Sequence, residues 1–439
     1  MQRLLPVGEK PFFLMGQSCF ICWHRYAEIY QSFISFRWIE NLEISMQINK
    51  KAVRTSPLIL LSVFLVIHML TAQNHPSIEN VWEATDQYFT ETLKSNQIVG
   101  SALVFMEKGE VKGENYYGYA DLDTQRKVDE NTIFHWASIT KTFTAIAIMQ
   151  LRDRGLLSLD DPITRYLPEI SKVHNPYGSM DEITIKMVLS HSSGFRDPTW
   201  PWGGNKSWHP FEPTEWGQLV AMMPYTEILF QPGTKFSYSN PAIIFLGRII
   251  EILSGDDYEV YIDKNILKPL KMYSSYYDLT PYHLLKNRSN NYTLRDGKPV
   301  ANGLDFDTGI TTSNGGLNAP LADMLKYLAF LTGQPTDDEI LKRSSLEELW
   351  QVQHPVGTID GVHSSVALSF FVEAFDGMQV IGHTGTQKSF YSFFYLHPPS
   401  GTACIGITNT DGAEEQPNPD QIRVEVSHYV FRNLFKLYE

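Results

Sequence analysis

The sequence predicts an α+β fold: an antiparallel sheet formed by both ends of the chain, flanked by helices, with a mostly helical region inserted between. Three observations carry this. Two strand-like runs near the start, Val99–Met106 and Val111–Tyr119, are joined by Glu107-Lys108-Gly109-Glu110, a hairpin signal. Strand character returns between Val366 and Thr408. The stretch between, about 156–300, is rich in turns and helical patterns.

Taken in order, Ile78, Val81, Trp82, Thr85, Tyr88 and Phe89 recur at helical spacing over Ser77–Leu93, ahead of the hairpin. A long helix is expected from about Ser138 to Arg154, stopped by Gly155. Pro, Trp and Asn cluster around 196–216 in a loop. Its Trp200, Trp202, Trp208, Phe211 and Trp216 either line an apolar pocket or staple the loop itself. A helix over Ile243–Leu253 follows Pro241. Strands are then expected at Val366–Glu373, Met378–Gly382, Phe390–Leu396 and Thr402–Thr408, with turns at Asp376-Gly377 and Pro398–Gly401. A last helix, Ile422–Leu437, can place Val424, Val426, Tyr429, Val430 and Leu434 on one face.

Ahead of the fold, Lys50, Lys51 and Arg54 precede an apolar run from Leu58 to Leu70 that ends at Thr71-Ala72. A basic flank, a short apolar stretch and a small residue match a secretory signal. The run is shorter than the roughly 20 residues of a spanning helix. Residues 46–72 are therefore expected to be a signal peptide, or an N-terminal membrane anchor if left uncleaved, and the protein to be secreted or periplasmic. Residues 1–45 read as an extension upstream of a start at Met46, and their Cys19 and Cys22 have no second pair to complete a metal site. Residues 73–439 remain as the folded body, with an α/β part at about 73–150 and 305–439 and a helical part at about 151–304. Cys404 is expected as a single buried thiol. The net charge of −13 is spread among 36 basic and 49 acidic residues without a basic patch, which argues against nucleic acid as a partner.

Three short motifs carry chemistry. Ser138 and Lys141 lie three apart at a helix start, so they share a face, and a Lys of lowered pKa can take the proton of a Ser hydroxyl. The same pattern also describes a capping Ser with an exposed Lys one turn on. Tyr238-Ser239-Asn240 is the only Tyr-x-Asn among 22 tyrosines. A phenol near a Lys cation can accept and donate protons, and the Asn240 amide can hold a carbonyl; Ser-Asn-Pro is equally good turn chemistry. His383-Thr384-Gly385-Thr386 is read as ending one strand just before the next. There Gly385 allows close approach of a substrate, the Thr386 N–H can face an oxyanion, and His383 can titrate near neutrality. A hairpin bend with an incidental His reads the same way.

The three occur in order, Tyr238 100 residues after Ser138 and His383 145 residues after Tyr238. On these motifs the chain resembles the serine β-lactamase and D-Ala-D-Ala carboxypeptidase superfamily, in its class C-like branch, where Tyr-x-Asn takes the middle place. Gly118-Tyr119-Ala120-Asp121, Leu189–Gly194, Gly315-Gly316-Leu317 and Thr408–Gly412 look like connecting segments of the same family. The resemblance spans about 77–437 and implies a β-lactamase/transpeptidase-like fold and a secreted serine hydrolase that forms an acyl-enzyme on Ser138. It implies that Lys141 and Tyr238 share the proton transfers and that Asn240, His383, Thr384, Gly385 and Thr386 bind substrate. The backbone N–H groups of Ser138 and Thr386 would form the oxyanion hole, with no metal or cofactor. The partner it implies is a small molecule or peptide with an amide or ester bond, a D-amino-acid or cell-wall peptide ahead of a carboxylesterase substrate; a binding protein without turnover is the third alternative. Many β-lactamases carry Lys-Thr-Gly as the third motif. His-Thr-Gly here removes a fixed cation that would hold an antibiotic carboxylate, which moves the expectation away from lactams.

Overall fold

Both ends of the chain meet in one sheet. In the computed structural model, which describes residues 77–197, 213–304, 308–333, 339–412 and 419–439, nine antiparallel strands lie side by side. In chain order they are β1 (Gly100–Glu107), β2 (Glu110–Asp121), β3 (Arg126–Lys127), β4 (His354–Ile359), β5 (Val362–Val366), β6 (Phe371–Phe375), β7 (Met378–Gln387), β8 (Phe390–His397) and β9 (Thr402–Thr408). In space they run β3-β2-β1-β9-β8-β7-β6-β5-β4. The N-terminal hairpin docks through β1 on β9, with Ser101 opposite Thr408 and Glu107 opposite Thr402. β1 and β9 are therefore central and buried on both faces, which is why they read as near-continuous apolar runs rather than alternating ones.

Each face of the sheet has its own core. On one side α1 (Ile78–Ser95) and α4 (Pro419–Asn433) bring Phe89, Leu93, Val426 and Phe431 against Phe105, Val380, Phe393 and Cys404. Cys404 is a buried free thiol, as expected. On the other side the larger core joins Val104, Phe394 and Ile405 to α2 (Thr140–Asp153) and α3 (Asn240–Ser254) through Phe143, Ile146, Phe245 and Leu246. The caps explain where α3 starts and stops. Ser239 Oγ accepts the Ala242 N–H at 3.3 Å, Pro241 sits in the first turn, and Gly255 ends the helix with φ +74.

Several element boundaries differ from expectation. The run read as one strand over Val366–Glu373 is two, because Ser369 turns the chain with φ +58 while its N–H donates to Leu189 O at 2.8 Å. β7 continues through Gln387, so the His-Thr-Gly-Thr motif lies inside a strand and not at its end. The final helix closes at Asn433 and continues as a 3₁₀ turn over Phe435–Tyr438. Tyr429, placed with the buried face, stacks on Tyr88 at 4.0 Å instead. The leader-like segment, Cys19, Cys22, Trp200, Trp202, Trp208 and Phe211 lie outside the described residues. Trp216 packs edge-on against Phe245 and donates its indole N–H to Glu169 at 2.8 Å.

Candidate active site

Backbone strain sets the turn that enters α2. Ala137 has φ +49, a left-handed conformation that costs a residue with a Cβ on the order of 1–3 kcal/mol. It opens a 3₁₀ turn, Ala137–Ile139, so the α-helix proper starts at Thr140 and not at Ser138. The turn is pinned by Trp136, whose N–H donates to Leu317 O at 2.9 Å and whose indole donates to Ala319 O at 2.8 Å. Ala137 and Ile139 are buried, whereas Ser138 faces a cavity of about 310 Å³.

β7 closes on this turn from the sheet side. A Cβ on Gly385 would lie 2.3 Å from Trp136 O and 2.5 Å from Ser392 Oγ. The close approach that Gly385 permits is thus made by the turn that carries Ser138.

Lys141 is fully buried one helical turn beyond Ser138. Its Nζ donates to Asn314 O at 2.8 Å and lies 2.9 Å from Ser138 Oγ. Burial pulls the ammonium down to about 7, against the opposing attraction of Asp197. Near neutral pH the amine is therefore available without its proton, with a lone pair free to accept the Ser138 hydroxyl.

Tyr238 completes this group. Its hydroxyl hydrogen-bonds Ser138, and the face of its ring lies 5.0 Å from Lys141 Nζ. Proximity of a cation was expected to favour the phenolate. Burial instead raises Tyr238 well above the usual phenol range, and the nearby Asp197 adds to the rise. Tyr238 is a neutral phenol here. His191, given no role from the sequence, stacks on that ring at 4.3 Å and accepts the Ser239 N–H at 3.2 Å.

Asn240 lines the same cavity at the start of α3. Asp197 holds it from both sides, accepting its backbone N–H at 3.1 Å and its side-chain amide at 3.2 Å. On the opposite wall Thr386 shares the lining with Ser138. The Thr386 hydroxyl is engaged from behind, donating to Asp420 at 3.0 Å and accepting from Arg423 at 2.8 Å. His383 is buried, donates from Nδ1 to Thr384 O at 2.6 Å, and leaves Nε2 buried with no partner among the described residues. Burial, helped by the charge of Lys141, drives its pKa to about 3. The expected titration near neutrality does not fit this environment. Thr384 points to the α4 side of the sheet, where it lines a second cavity.

The structure thus brings Ser138, Lys141, Tyr238, Asn240 and Thr386 to one cleft, with His383 and Gly385 behind it. It adds Asp197, His191, Asn314, Arg423 and Asp420. None has a local signature of function, although His191 and Gly315, which follows Asn314, fall in family-like connecting segments. A beta-lactamase family model matches residues 85–427. The chain belongs to the beta-lactamase family. Among curated proteins it is similar to "Protein flp" of Staphylococcus aureus, 26% identical over 324 residues that cover 74% of this chain and 62% of that one. It spans, then, less than two thirds of that relative. It is also similar to "Beta-lactamase-like protein 2" of Dictyostelium discoideum, 28% identical over 63% of this chain and 50% of the other. Among solved structures, a penicillin-binding protein homologue from Pyrococcus abyssi aligns with TM-score 0.65 at 25% identity, covering 77% of this chain and 75% of that one. A D-amino acid amidase from Ochrobactrum anthropi aligns with TM-score 0.65 at 21% identity over 82% and 99% of the two chains, and shares the family fold.

Proposed function

We propose that this member of the beta-lactamase family is an acyl-transfer hydrolase that cleaves an amide or ester bond through an acyl-enzyme on Ser138. One observation carries the reading: a buried Lys141 amine, with its pKa near 7, lies 2.9 Å from the Ser138 oxygen. In the proposed cycle Ser138 Oγ attacks the carbonyl carbon as its proton passes to neutral Lys141. The tetrahedral oxyanion is received by the backbone N–H groups of Ser138 and Thr386. The proton then travels from Lys141 through the neutral Tyr238 hydroxyl to the leaving nitrogen or oxygen, and the C–N or C–O bond breaks. Water repeats the sequence on the acyl-enzyme and returns the proton to Ser138. Asn240, held by Asp197, orients the substrate.

Small amides, D-amino-acid amides and cell-wall peptides first, are the favoured substrates, with carboxylic esters second. Two features support this order: neutral His383 offers no cation for a lactam carboxylate, and a D-amino acid amidase shares the fold. Export through the leader-like segment 46–72 belongs to the same proposal. The test is intact-mass analysis of the full chain after a fluorophosphonate and, separately, after a penicillin. Wild type should gain one fluorophosphonate adduct, Ser138→Ala none, and Ser138→Ala should lose turnover by on the order of 10⁶-fold. Labelling or turnover retained by folded Ser138→Ala would remove Ser138 from this role. A persistent penicillin adduct would select a penicillin-binding peptidase over an esterase.

A further inference from the structure

β7 has two faces with different company. Gly385 packs on the turn that carries Ser138, and Ile381 packs against the larger core. The alternate residues Val380 and Thr386 meet the core and side chains of α4. Thr384 shares this second face, and there it lines a cavity of about 410 Å³ between the edge hairpin β4–β5 and α4. It is larger than the cavity at Ser138 and mostly apolar, and the exposed Val356 and Ile359 stand at its rim.

Two charged side chains, Glu373 and Arg423, line it. The Glu373 side chain is half-buried, and among the described residues its carboxyl accepts one hydrogen bond, from Ser364 at 3.0 Å; burial pushes its pKa upward. Arg423 spends its terminal nitrogens on Asp420, Thr386 and Gly385 O, while its Nε–H is buried with no partner among the described residues. A half-buried carboxylate with spare lone pairs on the wall of a mostly apolar cavity is matched by a cation that brings its own apolar body. A ligand-sized apolar cavity with a few converging polar groups is the usual form of a small-molecule site.

We infer that this cavity binds a small organic ammonium compound, its amine on Glu373 and its apolar part against Val424 and the β4–β5 hairpin. The site is separate from Ser138 and shares β7 with it as a common wall, and the inference stands independently of the acyl-enzyme reading.

The test is calorimetric titration of the full chain with 2-phenylethylamine and with its neutral counterpart 2-phenylethanol. The amine should bind at least about ten-fold more tightly than the alcohol, as expected of a hydrogen bond to a charged group. Glu373→Gln should remove that difference, and Ser427→Trp or Val424→Trp, which fill the cavity, should abolish binding. An unchanged Tm in all three variants serves as the check on folding, and fluorophosphonate labelling of the wild type at Ser138 should leave amine binding intact. The inference is overturned by equal affinity for amine and alcohol, by full affinity in Glu373→Gln, or by no binding to wild type. Loss of amine binding on labelling Ser138 also overturns it, because the amine would then occupy the other cavity.

Discussion

The helix side and the strand side of the candidate cleft bury a nitrogen base each, and the same physics leaves them in opposite states of usefulness. Lys141 on α2 and His383 on β7 are both enclosed, and in both burial penalises the protonated form. Lysine starts from a high pKa and is brought to about 7, where its free amine is a working base at neutral pH. Histidine starts near neutrality and is brought to about 3, where it stays an uncharged acceptor. One burial effect thus brings the residue that is normally charged to titrate near neutral pH and takes the residue that normally titrates there out of that range.

The sharpest way to break this comparison is to remove the base. Lys141→Ala should lower kcat/KM by about 10² to 10⁴-fold, the usual range for a positioned general base. The wild-type profile should rise with pH up to about 7 and then level, because the neutral amine is the reactive form and accumulates as pH passes the lowered pKa. Below that point the rate should fall about ten-fold per pH unit. A profile whose acid limb persists in Lys141→Ala would assign the limb to another group, and a loss of only a few fold would shift the base role to Tyr238.

A smaller effect is expected where the two sides touch. In Gly385→Ala the new methyl would sit 2.3 Å from Trp136 O, so either β7 or the Ala137–Ile139 turn must give. Overpacking of this kind costs about 1–3 kcal/mol, and a 1 Å displacement of the nucleophile costs on the order of 10²-fold in rate. A lowered Tm together with a lowered kcat is expected. Unchanged kcat with a lowered Tm would show that the sheet side yields while Ser138 stays in place.

The parts legible in sequence are those whose partners are near in the chain. Ser138 and Lys141 are one helical turn apart, and Tyr238-Ser239-Asn240 is fixed by the capping of α3, so spacing alone exposes them. Asp197 reaches Asn240 across 43 residues and Lys141 reaches the Asn314 carbonyl across 173, and no periodicity encodes such meetings. The backbone oxygen of Asn314 is also the kind of ligand that residue type cannot reveal. In the sheet, β1 and β9 were readable as buried apolar runs. β4 was not, since its residues beyond His354 are exposed on both faces and show no alternation. The break between β5 and β6 was hidden for another reason: Ala367, Leu368 and Phe370 keep the run apolar, and only the left-handed Ser369 among them turns the chain.

The least disruptive probe of the comparison is His383→Lys. The coupling of His383 to Lys141 means that a cation at this position is felt at Nζ. A second positive charge disfavours protonation of Lys141, so its pKa falls further and the acid limb of kcat/KM should move to lower pH, by up to about one unit. The same cation supplies what a lactam carboxylate lacks here, so turnover or acylation by penicillin should rise while a neutral ester gains nothing at the pH plateau. Both changes together would show that His383 faces the substrate and the base at once. A shifted limb without a gain on penicillin would confine position 383 to tuning Lys141. An unmoved limb with no gain would mean that the introduced ammonium is itself deprotonated by burial, further than Lys141 is, and that this side of the cleft holds no cation.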